Sequence, residues 1–275
     1  LMVNRKRVYL ALNHIVLLIV AVIFAIPLIW ALKSAFTPTG EIFSTKLTEL
    51  PSMLSLNNVK TGLSAAPFGL YFLNSLLVAI FVTLVIVLTS TLAGFGFSKF
   101  EFRGKSFLFI FVIAGMLLPF QAILIPLFVE IKYLHLIDSL KGVAIPGAVS
   151  GFGIFMMRQF MTSIPNELLE ASLLDGCNAR QVFRRVVVPI AKGPISALGA
   201  LAFLASWNNF LWPLVVIQTE ERMTIPLGLA LFRGNNATAY GEVFAVSLVA
   251  AIPVVIIFIF MRRQIVASFS TSGIK

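Results

Sequence analysis

The chain has 275 residues, 59% of them hydrophobic and only 12% charged, with a mean hydropathy of +0.99. A soluble domain carries about 25% charged residues, so this composition excludes a soluble globular fold and specifies a polytopic membrane protein. The formal charge of +10 does not point to nucleic acid, because the basic residues are scattered through short loops between apolar runs rather than gathered in a stripe on a polar surface.

Six windows without acidic or basic residues, at 8–32, 61–98, 106–129, 142–157, 193–219 and 243–261, reach or approach the roughly 20 residues of a bilayer helix. They predict an all-α protein with six transmembrane spans near 12–32, 70–93, 106–129, 142–158, 194–217 and 243–261, in one transmembrane domain over 1–275. The first window has no small-residue cleavage site at its end and further spans follow, so it reads as a retained anchor. The segment 33–68 is the longest outside the spans. Thr37-Pro38-Thr39-Gly40 and Asn57-Asn58 read there as turn signals. It is too short for a core of its own, and is either a loop packed on its own chain or a docking surface for a partner. The basic turn at 99–105 reads as a topological anchor. The fourth window holds Gly142, Pro146, Gly147, Gly151 and Gly153, so it is either a short, tilted span or one that starts before Lys141.

Lys and Arg in short loops set the orientation. The N-terminus, 99–105, 158–192 and the tail from Arg262 share one side, with fourteen basic residues against four acidic; the other side has seven of each. The whole excess therefore lies on one face, which is assigned to the cytoplasm together with both termini.

The polar stretch 164–194 is the exception in the greasy second half. Pro165 suits a first helical position. Glu167 and Glu170 fall in the early turns, where the helix dipole favours acids. Leu168, Leu169, Ala171 and Leu174 form an apolar stripe, and Asp175-Gly176 ends the helix, because Gly accepts the left-handed conformation. Asn178 and Gln181 form a capping box for a second helix, with Arg180, Arg184 and Arg185 around it, and Pro189 is expected to stop that helix. The result is an amphipathic helix–turn–helix elbow outside the hydrocarbon. From the residues alone, it either lies on an anionic leaflet or sits in a protein groove.

Glu170-Ala171-Ser172, Asp175-Gly176, Phe183 and Pro189 resemble, at matching spacing, the EAA motif of bacterial ABC importer permeases. Ser172 and Cys177 stand where that family usually has Ala. The resemblance extends along nearly the whole chain, through Asn74-Ser75-Leu76, Arg103-Gly104-Lys105, Ile125-Pro126-Leu127, His135-Leu136-Ile137-Asp138-Ser139, the run 206–214, Pro253 and the ending Gly273-Ile274-Lys275. The last features resemble those of the carbohydrate importers.

The resemblance implies a type I importer permease fold, in the bacterial cytoplasmic membrane. It implies a second homologous permease, an ABC ATPase dimer that holds ATP and Mg, and an extracytoplasmic sugar-binding protein as partners. Alternating access is implied as the mechanism. The loop 159–192 is then the coupling loop, carried by Glu167, Glu170, Ala171, Ser172, Asp175, Gly176, Phe183 and Pro189. A tail contact of 270–275 with the ATPase is a further expectation.

No catalytic constellation is visible. Cys177 is the lone cysteine, His14 and His135 have no ligand partners at metal spacing, and no phosphate-cradling Gly-rich run is present, so the chain reads as a transport subunit without its own cofactor or enzyme activity. Gly94 and Gly96 read as close helix packing. Asn74, Gln121, Asn208 and Asn209 are polar residues within spans: either interhelical hydrogen-bonding groups or, with Trp207, the lining of a sugar path. Trp212 reads as an interface anchor. The runner-up function is an ion-coupled secondary transporter with a membrane-surface loop. It would need ionisable residues at mid-depth, and no acid lies there.

Overall fold

The computed structural model describes residues 2–44, 49, 54–235 and 239–271, so the ending Gly273-Ile274-Lys275 lies outside the described residues. Every regular element among those described is helical, as expected where the backbone must satisfy its own polar groups. Besides two 3-10 turns, Thr39–Glu41 and Glu220–Arg222, these are in order α1 (Met2–Phe36), α2 (Asn57–Ser64), α3 (Phe68–Lys99), α4 (Lys105–Leu117), α5 (Phe120–Tyr133), α6 (Leu140–Ala144), α7 (Gly151–Thr162), α8 (Asn166–Leu174), α9 (Ala179–Val182), a π turn (Phe183–Val187), α10 (Val188–Ile190), α11 (Lys192–Trp207), α12 (Leu211–Val216), α13 (Ile225–Asn235) and α14 (Tyr240–Thr271).

Three helical stretches are long and apolar enough to cross a membrane: Leu12–Phe36, Phe68–Lys99 and Tyr240–Phe260. Two bent pairs qualify if each crosses once: Lys105–Leu117 with Phe120–Tyr133, bent by 101°, and Ala179–Ile190 with Lys192–Trp207, bent by 77°. The described residues therefore supply three to five spans by length and composition, which leaves the expected count of six unconfirmed. The third window breaks at Leu118, whose extended ψ of 120° is what a residue before proline prefers, and Pro119 then precedes the first turn of α5. The fourth window starts before Lys141, as one of the two expected forms has it, and is broken in the middle. It is two short helices, with Ser139 accepting from the Gly142 amide to start α6 and Ser150 accepting from the Gly153 amide to start α7. Pro27, Pro126 and Pro253 sit inside continuing helices.

The chain divides into two compact units, Leu1–Phe68 with Leu229–Ile252, and Gly69–Gly228 with Pro253–Lys275. In the first, the apolar side chains of α1 are exposed along the span, as lipid-facing residues are. The end of α1 is tied by Asn58, which is buried and donates to the carbonyls of Ser34 and Thr37. Asn57-Asn58 is thus not a turn but the start of α2. That helix lies close against the start of α14: a Cβ on Gly241 would fall 2.3 Å from the Asn58 amide, and one on Gly62 would fall 3.1 Å from the Glu242 carbonyl.

The second unit has a continuous core. Val78, Val82 and Ile86 of α3 pack with Val143 of α6, Met157 and Met161 of α7, Leu198 of α11 and Trp212 of α12. Gly94 lets α3 approach α7 closely, since a Cβ there would lie 2.6 Å from that of Met157; Gly96 has nothing within 4 Å. Trp212 is buried rather than at an interface. Its indole N–H donates to the Gly142 carbonyl at 3.0 Å and ties α12 to α6.

Candidate functional site

Two features of the second unit carry the candidate residues. The first is the elbow. Helix α8 begins at Asn166, one residue after Pro165, and has no buried residue. Its apolar stripe is not absorbed by the chain: Leu169 packs on the core, while Leu168 and Leu173 are half exposed and Leu174 is 90% exposed. Glu167, Glu170, Ala171 and Asp175 share that exposed surface. The Ser172 hydroxyl turns back to the Leu168 carbonyl at 2.7 Å.

The bend is closed by backbone alone. The Gly176 amide donates to the Leu173 carbonyl and the Cys177 amide to the Ser172 carbonyl, both at 3.0 Å, with Gly176 at φ +84°. These two bonds make a Schellman turn, which requires the left-handed residue that only glycine adopts without strain. Two residues later Asn178 and Gln181 exchange side-chain and backbone bonds at 2.8 and 3.0 Å, the expected capping box. Val182 and Val187 are buried, and Phe183 lies with its ring centroid 5.2 Å from that of Phe95. Arg180, Arg184 and Arg185 are exposed. Pro189 does not stop the helix at its own position. The turn before it widens, with the Val188 amide reaching back five residues to the Phe183 carbonyl, and the run continues to Ile190. The wider turn accommodates a ring that would otherwise crowd the carbonyl four residues back. The elbow is thus acidic and apolar on its first arm, basic on its second, and rigidly bent between them.

The second feature is a cavity of about 140 Å³ lined by Ser75, Val78 and Val82 of α3, Val143, Ser206, Asn209, Pro213 and Thr224, among others. The Ser75 hydroxyl accepts from the Ile225 amide at 2.7 Å. Thr224 is buried, and its hydroxyl has no hydrogen-bond partner among the described residues. Asn209 sits in the break between α11 and α12 and faces this cavity. The other candidates lie elsewhere. Asn208 is exposed and donates to the Leu204 carbonyl. Trp207 is buried, stacked on Phe203 and met edge-on by Phe72, so its ring faces are covered by protein. Asn74 is buried and bridges the carbonyls of Glu221 and Met223, both at 2.9 Å. Gln121 is exposed in the first turn of α5.

Sequence reading missed one residue. Lys99, taken as part of a topological anchor, donates to the Ile164 carbonyl and, at 2.9 Å, to the Asn166 side chain at the entry to α8. A lysine in the last turn of a span looks like an anchor in any sequence, and nothing local distinguishes the two roles.

Residues 86–268 match the family of binding-protein-dependent transport system inner membrane components. The chain belongs to this family. The permease is 31% identical over 259 residues to the arabinooligosaccharides transport system permease protein AraQ of Halalkalibacterium halodurans, covering 93% of each chain. It is 30% identical over 273 residues to the sn-glycerol-3-phosphate transport system permease protein UgpE of Salmonella choleraesuis, covering 96% of this chain and 97% of that one. A chain of a bacterial ABC transporter involved in the import of the acidic polysaccharide alginate superposes with a TM-score of 0.82 over 94% of the permease, at 22% identity, which establishes the shared importer-permease fold. The permease is accordingly an inner-membrane transport component and not an enzyme.

Proposed function

We propose that this permease is one of two homologous pore-forming subunits of an ATP-driven carbohydrate importer, and that its elbow couples the pore to a separate ATPase dimer. The carbohydrate class rests on the relatives named for arabinooligosaccharide, diacetylchitobiose and lactose transport, beside which UgpE is named for sn-glycerol-3-phosphate. The observation that carries the coupling reading is α8. A helix with no buried residue, ending in a backbone-locked bend, leaves Leu168, Leu173 and Leu174 exposed beside Glu167 and Glu170. Such a mixed apolar and acidic surface suits a groove on a protein partner better than an anionic leaflet, which would repel the carboxylates. Both termini and the elbow face the cytoplasm in this reading, and an extracytoplasmic sugar-binding protein delivers substrate to the opposite face.

ATP and Mg bind the partner ATPase, and this chain needs no cofactor. Closure of the ATPase dimer moves the elbow, and the bundle changes from inward-facing to outward-facing; hydrolysis resets it. This is a two-state equilibrium biased from a distant site. Glu170 and the bend at Asp175-Gly176 transmit the motion, with Ala171, Ser172, Phe183 and Pro189 shaping the surface around them. Of the polar path candidates, Asn209 lines the interior cavity, beside Ser206 and Thr224.

The test is ATP hydrolysis by the whole importer in lipid discs, with sugar-loaded binding protein added. Gly176→Leu places a side chain in a left-handed position, at a cost of about 1–2 kcal/mol. It is expected to assemble and hydrolyse ATP at the basal rate, with stimulation reduced at least fivefold. Full stimulation and full transport in that variant would sink the coupling role.

A further inference from the structure

The elbow touches the rest of its unit over a surprisingly open junction. Between α8 and the end of α3 lies a recess of about 230 Å³, lined by Phe95, Lys99 and Phe100 on the α3 side and by Leu169, Glu170 and Leu173 on the α8 side. Across it, a charged side chain of α3 reaches the start of α8. Lys99, the last residue of α3 and partly buried, donates to the carbonyl of Ile164 and to the side-chain oxygen of Asn166. Ile164 is itself buried in the core, in the link between α7 and α8, and Asn166 is the first residue of α8. One ammonium therefore pins three ends together: the end of α3, the exit from α7 and the start of α8.

The partners of Lys99 also matter. A lysine whose only task is to hold the membrane edge keeps its ammonium in water or among lipid phosphates. Here its two hydrogen bonds go to a neutral carbonyl and a neutral amide, with the Glu167 carboxylate near enough to favour its charge, and together they fix geometry. Hydrogen bonds with one charged member are about twice as strong as neutral ones.

From its pinned end, α3 runs unbroken to Phe68. Ile86, Val82, Val78 and Ser75, on that same helix, form one wall of the interior cavity. Ile86 is thirteen residues from Lys99, roughly 20 Å at 1.5 Å per residue. A helix transmits axial displacement over such a length without an intervening joint.

We infer that Lys99 is the tie through which movement of the elbow reaches the cavity wall: α8 shifts over the recess, Lys99 carries the shift into the end of α3, and α3 carries it to Ile86, Val82 and Val78. Lys99 is a positioning residue; it touches neither substrate nor nucleotide. This inference rests on the coupling role proposed for the elbow.

The experiment uses the complete importer in lipid discs with sugar-loaded binding protein, and compares Lys99→Met, Lys99→Arg and Gly176→Leu with wild type. Lys99→Met keeps the aliphatic stem and removes the donors. It is expected to retain basal hydrolysis within twofold and to lose at least fivefold in stimulation, while Lys99→Arg retains more than half. A second readout separates the tie from general damage: amide exchange of residues 166–174 is expected to quicken about tenfold in Lys99→Met, with exchange in the core of α7 unchanged. If Gly176→Leu loses stimulation but Lys99→Met keeps it, the tie is wrong and the coupling elbow stands. If both variants are stimulated as wild type, the coupling role fails and the tie fails with it. Should Lys99→Met not assemble, Asn166→Ala removes one acceptor from the other side of the junction; a stimulation about twofold lower supports the tie, and an unchanged one overturns it.

Discussion

Asp138 shows how a single side chain holds a loop in a protein with few charges. It sits between α5 and α6 at φ +52°, a conformation disfavoured for any residue but glycine and tolerated best by Asn, Asp and His. The strain is offset by a dense set of bonds. The Asp138 amide donates to the Val216 carbonyl at 2.9 Å, and its carboxylate accepts from the amides of Gln218 and Thr219 at 2.9 and 3.0 Å and from the Thr219 hydroxyl. Arg222 donates to the Asp138 carbonyl, and its guanidinium is 3.8 Å from the carboxylate. Burial alone would raise the carboxyl pKa. The two amides, the hydroxyl and then Arg222 outweigh it and hold the group below its ordinary value of 3.8. Because the docked value is the lower one, the carboxylate stabilises the docked loop fully above its ordinary pKa. That contribution is lost as pH falls through the depressed one. Intrinsic-rate-corrected exchange of the Gln218 and Thr219 amides is therefore expected to stay flat from pH 7 to pH 5. Asp138→Asn should quicken it severalfold across that range. Protection that fades between pH 7 and pH 5 in the wild type would contradict this account. The sequence suggested Asp138 only as part of a family-like run; its partners lie some eighty residues away and leave no local trace.

Helix ends were the most legible part of the chain, and helix directions the least. The capping box at Asn178 and the glycine at 176 follow from local backbone rules, and the structure has both. Asn57-Asn58 was misread because the same residues favour turns and helix starts; burial of Asn58 against the end of α1 decided between them. The bends at Leu118 and Ala191 are marked by Pro119 and Pro189, but a proline announces a break without stating its angle, and the 101° and 77° turns come from packing. The glycines of the fourth window likewise announce a break, where pattern reading offers a short, tilted span or one that starts before Lys141. Of the pair Gly94 and Gly96, only Gly94 meets a neighbour, since residues two apart on a helix face different directions. Gly94→Val would drive its side chain into Met157 and the Arg158 backbone. It would also displace the Arg158 guanidinium from the Phe109 ring, 3.9 Å away, and its Nε from the Phe97 carbonyl. Overpacking of this kind costs about 1–3 kcal/mol. The variant is expected to melt several degrees lower in detergent, whereas Gly96→Ala should match wild type. Equal melting of the two would mean that the crossing of α3 and α7 is looser than drawn.

At the scale of the molecule, the open question is which surfaces the chain leaves for others. Lipid accounts for the exposed apolar residues of α1, which lie on a span whose one charged residue, Lys33, stands in its last turn. It does not account for Leu173 and Leu174, which stand beside Glu170 and Asp175 on a helix that is not among the spans of the structure. The charge asymmetry of the loops predicts a cytoplasmic position for this helix, and on that prediction a partner that covers it is an intracellular protein. Both statements can be tested at Leu174, the most exposed of these side chains. In a Cys177→Ser background the chain has no cysteine, so Leu174→Cys gives a single thiol. A membrane-impermeant maleimide should label it in inside-out vesicles and not in right-side-out ones. Adding the cognate ATPase to the inside-out vesicles should slow labelling at least tenfold, because an interface that excludes water also excludes the reagent. Labelling from the outside would reverse the topology and remove the elbow from the ATPase altogether. Labelling from the inside at a rate indifferent to the ATPase would keep the topology and return α8 to the membrane surface, where its carboxylates would have no counterpart.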